Sequence, residues 1–244
     1  MGQIDDIANK YVADWAPLEP LGATYVGIGG YDDQMTDVSP AGFAALADLE
    51  RRTLAALGAA QPDNERERVA KEAMQERLGL SVERYDAGET TSELNVISSS
   101  LHNMRSVFDL MPLAGETAAA NIAKRLAAMP GALEQYKQTL REAADAGHVS
   151  SQHQMVEIAK QCDSWTDPGA DNFFPGLVAR VKAAGGLPDA LAADLDKSAD
   201  AARDATVEFG RFLRDEFASR GAGKDAVGRD RYSLASRYFL GAKV

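Results

Sequence analysis

A chain of 244 residues with 45% hydrophobic and 26% charged side chains has an ordinary globular composition and is long enough for one large domain or two small ones. Thirty-seven acidic against 26 basic residues leave a net charge of −11. That balance argues against a nucleic-acid binder, which needs a basic footprint to displace counterions from phosphates. Residues 1–50 alone carry nine acids and one base, Lys10, so a partner of that end is expected to be cationic or neutral.

The opening MGQIDDIANKYVADW lacks the basic region and apolar core of a secretory signal. Asp6 also stands where a myristoylation signal after Met1-Gly2 wants Ser or Thr. Thr24 to Ile28 reads as a short extended piece. Ser39-Pro40 predicts a helix start, with Phe43, Leu46, Leu49, Leu54 and Leu57 on one face until Gly58. Residues 63–87 predict a more charged helix with a narrow stripe of Met74, Leu78 and Val82. Asn95 to Ser98 reads as a second extended piece. A helix is expected from Gly115 to Met129, ended by Pro130-Gly131, and a separate one from Gly131 to about Ala146 through Leu133, Tyr136, Lys137 and Leu140. Residues 149–165 continue as a helix through Val156, Ile158 and Cys162.

The longest predicted segment, near 188–219, comes after Gly185-Gly186 and has Pro188 in its first turn. Leu191, Leu195, Ala199, Ala202, Thr206, Phe209, Leu213 and Phe217 then recur at steps of three and four. About 30 residues at 1.5 Å each would make a rod of roughly 45 Å. The expectation is an all-α multi-helix bundle with few or no strands, organised as a single helical domain over 1–244. The end, RDRYSLASRYFLGAKV, puts Tyr232, Leu234, Ala235, Tyr238, Phe239 and Leu240 in a terminal helix, where chains are usually polar and frayed. Either the natural protein continues and this helix packs on a further element, or the helix docks back on its own core.

Chemistry is sparse. His148 and His153 are five apart, about 140° around a helix, so they do not form the shared-face pair of a His-Glu-x-x-His zinc site. No Glu-x-x-His pair supports a carboxylate di-iron bundle. With His102 they read as surface or capping residues, although Asp145 precedes His148 by three and Glu157 lies four after His153. Gly27-Ile28-Gly29-Gly30 fails as a phosphate loop, because Asp32 replaces the third glycine and the neighbouring acids repel a pyrophosphate. Asp32, Asp33 and Asp37 could ligate a hard cation, but no Glu closes a calcium loop, so a solvated acidic loop is expected. The lone Cys162 has no disulfide partner in the chain and reads as a buried bystander. No run approaches the roughly 20 apolar residues that span a bilayer. A soluble, cytoplasmic protein without membrane or nucleic-acid partners is the expectation.

Four segments taken together resemble one family. They are Tyr11–Gly42 (YVADWAPLEPLGATYVGIGGYDDQMTDVSPAG), Leu94–Pro112, Ile122–Leu140 and Gly228–Val244. Their order is similar to the amino-terminal portion of the bacterial domain of unknown function 885 family, whose members are about twice this length or more. The resemblance implies a helical, zincin-type, metal-dependent peptidase. Its metal site, a His-Glu with a Pro-Gly-His-His shortly after it, lies in the carboxy-terminal half and has no counterpart here. No catalytic, cofactor or metal residue is therefore carried over, and zinc is expected only in a full-length parent acting on a peptide or amide. Tyr31, Asp32, Asp33 and Asp37 are expected at the rim of that parent's substrate cleft, on polarity and conformation alone. The leading expectation is thus the helical amino-terminal region of such a hydrolase, inactive by itself. The rivals are an acidic scaffold that docks or self-associates through Tyr232–Leu240, and a self-contained enzyme with an unrecognised site.

Overall fold

Local chemistry fixes several of the helix starts in the computed structural model, which describes residues 2–167 and 172–242. Met1 of the Met1-Gly2 pair and the last two residues of the Gly228–Val244 run lie outside them. The helices are α1 (Gln3–Trp15), α2 (Pro20–Tyr25), α3 (Pro40–Ala59), α4 (Glu65–Asp86), α5 (Glu89–Ser92), α6 (Ser100–Ser106), α7 (Glu116–Asp145), α8 (Gln152–Thr166), α9 (Phe173–Ala183), α10 (Asp189–Arg211) and α11 (Arg229–Leu240). Ser39, Asn64 and Ser151 cap α3, α4 and α8, each side-chain oxygen accepting a backbone N–H from the first turn of its helix. Among the described residues the one extended pairing is an isolated parallel bridge between Ser151 and Ala222. The fold is all-α.

The main core lies along α7. Ile122, Leu126, Met129, Leu133, Tyr136 and Leu140 form one buried stripe that packs on α10, and Met155, Ile158 and Cys162 of α8, Leu177 and Val181 of α9, and Leu195 and Phe209 of α10 belong to the same core. Tyr136 stacks on Phe209 with centroids 5.7 Å apart. A smaller cluster of Ile4, Leu57, Ala60 and Leu78 joins α1, α3 and α4. Gly210 lets α10 approach α8 closely, since a Cβ there would stand 3.0 Å from the Cβ of Cys162.

Several expectations need correction. Pro130-Gly131 does not end a helix: α7 runs through it for 30 residues and is the longest α-helix of the chain. The buried stripe continues in register on both sides, so tertiary packing outweighs the hydrogen bond that Pro130 cannot donate to the Leu126 carbonyl. Pro188 is the extended N-cap of α10 rather than a first-turn residue. The expected rod changes winding after Arg211, passing through a π-helix at Phe212–Phe217 and a 3-10 turn at Ala218–Arg220. Phe212 and Phe217, five apart, would lie about 140° apart on an α-helix; the wider turn brings them face to face with centroids 5.1 Å apart.

Thr24 to Ile28 is not extended but the end of α2. There Gly27 (φ 77°) turns the chain and the Ile28 N–H bonds the Ala23 carbonyl at 2.8 Å. Asn95 to Ser98 is a turn, its Asn95 side chain accepting from the Ile97 and Ser98 N–H groups at 2.9 and 2.7 Å. The terminal helix is covered on one side only. One face docks on α4, with Arg84 4.1 Å from the Tyr238 ring centroid and an Arg237–Glu83 ion pair at 2.8 Å. The other leaves Tyr232, Phe239 and Leu240 exposed.

Candidate functional site

The four residues expected at a cleft rim sit in one loop that is tied down to α7. Arg125 is fully buried. Its guanidinium donates to the carbonyls of Gln34 (2.9 Å) and Tyr31 (3.0 Å) and to the Thr24 hydroxyl (3.0 Å). Thr24 in turn donates to Asp32 at 2.9 Å. Burial lowers the Arg125 pKa, and Asp32 and Asp33 oppose that fall. Asp33 pairs with Lys124 at 3.0 Å, which lowers its carboxyl pKa, and Asp37 accepts the Ser39 N–H at 3.0 Å. The carboxylates of this loop are thus engaged with their own chain.

The histidines do not converge. Gln161 donates its amide N–H to the Val96 carbonyl (3.0 Å), which leaves its oxygen to accept from His102 Nε2 (2.9 Å). His102 Nδ1 then accepts from the Ser99 hydroxyl at 2.7 Å. Burial lowers the His102 pKa and the Gln161 contact opposes it, so a neutral ring pins the 95–99 turn to α8. His102 is thus part of a half-buried network rather than a surface or capping residue. His148 packs over Gly88, and His153 is exposed. Of their carboxylate neighbours, Asp145 pairs instead with Arg220, while Glu157 pairs with Lys160 at 2.6 Å, its pKa lowered first by that pair and also by the charge of His153. Cys162 is buried, and its thiol is pushed up to about 12 chiefly by that burial, which makes it a poor nucleophile. Among the described residues no group of three or more His, Cys, Asp or Glu side chains could hold a metal ion. The donor set therefore does not fit a zinc site.

A buried acidic cluster lies at the α1–α3 junction. Glu19 is raised from 4.5 to about 7, mainly by burial, with the Thr36 hydrogen bond opposing and Glu50 adding to the rise. Glu50, which accepts from Ser81 at 2.8 Å, is also raised by burial. A carboxyl raised in the folded state favours folding at low pH, and that advantage is lost as pH climbs from 4.5 through about 7. Glu19→Gln is expected to match the wild type at pH 5 and to exceed it by about 1–2 kcal/mol at pH 8, after allowing for the partial solvent contact of Glu19. Urea unfolding at both pH values checks this; an equal difference at the two would refute it.

The cleft with the richest chemistry lies elsewhere. About 390 Å³ is enclosed by the end of α4, the segment after α5, the start of α8, the glycine-rich strap 221–228 and α11. Arg84, nearly buried, faces two carboxylates: Glu89 at 3.3 Å and Glu93 at 3.5 Å. Its other face stacks on Tyr238. Glu93 is the more open acid, its side chain 30% exposed against 7% for Glu89. Burial raises its pKa, Arg84 opposes this, and Glu89 adds to it. The strap is pinned by the Ser151–Ala222 bridge and by the Ser151 hydroxyl, which donates to Asp225 at 2.5 Å. Arg231 reaches across from α11 to the Val149 carbonyl at 3.2 Å. Sequence reasoning missed this cleft; the one local signal was a Gly-rich strap ahead of an aromatic helix.

An all-α chain with a polar cleft between its terminal helix and its centre is the class that fold and site define. The bacterial family described as of unknown function, DUF885, matches residues 20–244, and the chain belongs to it. A solved structure from Shewanella oneidensis, described as a candidate lipoprotein of unknown function, is similar over 100% of this chain at 16% identity and a TM-score of 0.74. This chain spans 43% of that protein's length. No curated protein matches it.

Proposed function

We propose that this chain is the amino-terminal helical region of a metal-dependent peptidase or amide hydrolase, supplying a cleft wall and lacking activity alone. The observation that carries the reading is one of extent. The whole chain aligns with less than half of a longer, similarly folded protein, and among its described residues no group of three or more His, Cys, Asp or Glu side chains could hold a metal ion. The metal and the general base then belong to sequence outside this chain, and no catalytic step runs through the residues present. The test is the intact mass from the native source, then zinc content and peptidase activity of the longer form and of residues 1–244. Stoichiometric zinc with activity in residues 1–244 alone would overturn the reading; so would a native mass near 26.1 kDa. Placement of the Asp32–Asp33 loop at the parent's rim is tested by changing both residues to Asn: an unchanged kcat/KM removes it from the cleft.

One observation favours a second reading, that of a docking module. Tyr232, Phe239 and Leu240 are 55%, 67% and 65% exposed on one terminal helix, an apolar surface of the kind that marks an interface. Sedimentation that stays monomeric across a hundredfold concentration range, and is unmoved by Phe239→Ser, would exclude self-association through that face.

A further inference from the structure

The cleft between α5, α8, the 221–228 strap and α11 carries charge in two separate sets. Arg84, Glu89 and Glu93 together sum to one negative charge, and the negative end is unsatisfied. Among the described residues the Glu93 carboxylate has two polar partners, Arg84 Nη2 and Asn95 Nδ2, both at 3.5 Å and so at the limit of a hydrogen bond. On the strap and α11 the balance is reversed. Asp225 is occupied by Ser151, Lys224 makes no ion pair or hydrogen bond among the described residues, and Arg231 gives one N–H to a carbonyl. The same cleft is lined by apolar Leu94, Val149, Val227 and Phe239 as well as by polar Ser150 and Gln154. Its volume of about 390 Å³ falls in the range of small-molecule sites.

We infer that this cleft binds a small zwitterion with an apolar side chain, an amino acid or a short peptide, its ammonium on Glu93 and its carboxylate on Lys224 and Arg231. An ammonium replaces two stretched contacts of Glu93 with a charge-assisted one, and a carboxylate gives Lys224 the partner it lacks. Neither charge alone suits the cleft, because each brings one end into register and leaves the other unpaired. The inference does not depend on the proposed hydrolase, since it needs neither metal nor turnover.

The test is calorimetric titration of the 244-residue chain with leucine, alanyl-leucine, N-acetyl-alanyl-leucine and alanyl-leucine amide near pH 7. Saturable binding of a zwitterion is expected, with acetylation and amidation of the dipeptide each weakening it at least tenfold. The tighter of leucine and alanyl-leucine identifies the spacing of the two charges. Glu93→Gln should erase the preference for the free amine, and Lys224→Ala should shrink the preference of acid over amide at least fivefold. Absence of saturable binding overturns the inference, as do affinities within threefold for all the dipeptide forms. Discrimination that survives both substitutions moves the site elsewhere and overturns it too. Because the ligand forms are compared on the unmodified chain, the result stands even if a variant folds poorly. Binding without peptidase activity in the longer form would sink the hydrolase reading alone.

Discussion

Arg125→Met is expected to cost about 3–5 kcal/mol, the largest loss available from a single polar side chain here. The guanidinium is fully buried, and its interactions converge from α2, the 31–34 loop and Met111. Methionine fills much of the volume yet takes the guanidinium donors from the Gln34 and Tyr31 carbonyls in a half-buried site, at about 1–3 kcal/mol each. The Thr24 hydroxyl also loses the cation that polarises its bond to Asp32. Arg125→Lys should fall between, because an ammonium keeps the charge but cannot reach a fork of acceptors pointing in several directions. A urea series gives the free energies, and limited proteolysis should show the 26–38 segment cut first in the methionine variant. A loss below 1 kcal/mol would mean that the loop is held mainly by the Lys124–Asp33 pair and the Thr139 bond to the Val38 carbonyl.

That anchor also shows why an open acidic rim is the natural reading of the loop's sequence. Tyr31, Asp32, Asp33 and Asp37 form a polar loop, and nothing local signals that Arg125, about 90 positions on, closes it from beneath. Signals that live within a few residues are legible: Ser39-Pro40 starts α3, and the stripes of α8 and α10 reflect a simple helical period. The short helices α2, α5 and α6 have too few turns to show a period, and α9 begins with Phe173-Phe174-Pro175-Gly176, which reads as a break. α1 is legible in principle, since Ile4, Ile7 and Tyr11 are spaced for one face, but its acidic start bears first on targeting. The cleft is not legible at all. Arg84, Glu93, Ser151, Lys224 and Arg231 are scattered over nearly 150 positions, and only the docking of α11 on α4 brings them to one cavity. The resemblance leads to the family but names none of the cleft's residues.

Pro130→Ala is expected to stabilise the protein by about 1–3 kcal/mol, the largest gain a single change offers. A proline inside a helix costs about 3 kcal/mol relative to alanine, through its missing N–H and its clash with the carbonyl four residues back. Here that carbonyl belongs to Leu126, in the middle of the buried stripe. Alanine restores the donor at 130 and removes the clash, while the half-buried position loses only a small ring. Part of the gain is returned because proline also restricts the unfolded chain, which sets the lower end of the range. The midpoint of urea unfolding should rise with an unchanged slope. A fall would show that α7 needs Pro130 to keep Leu126 and Leu133 both against α10. In that case the proline shapes the core as well as breaking one hydrogen bond, and the packing that carried the helix through Pro130 would depend on it.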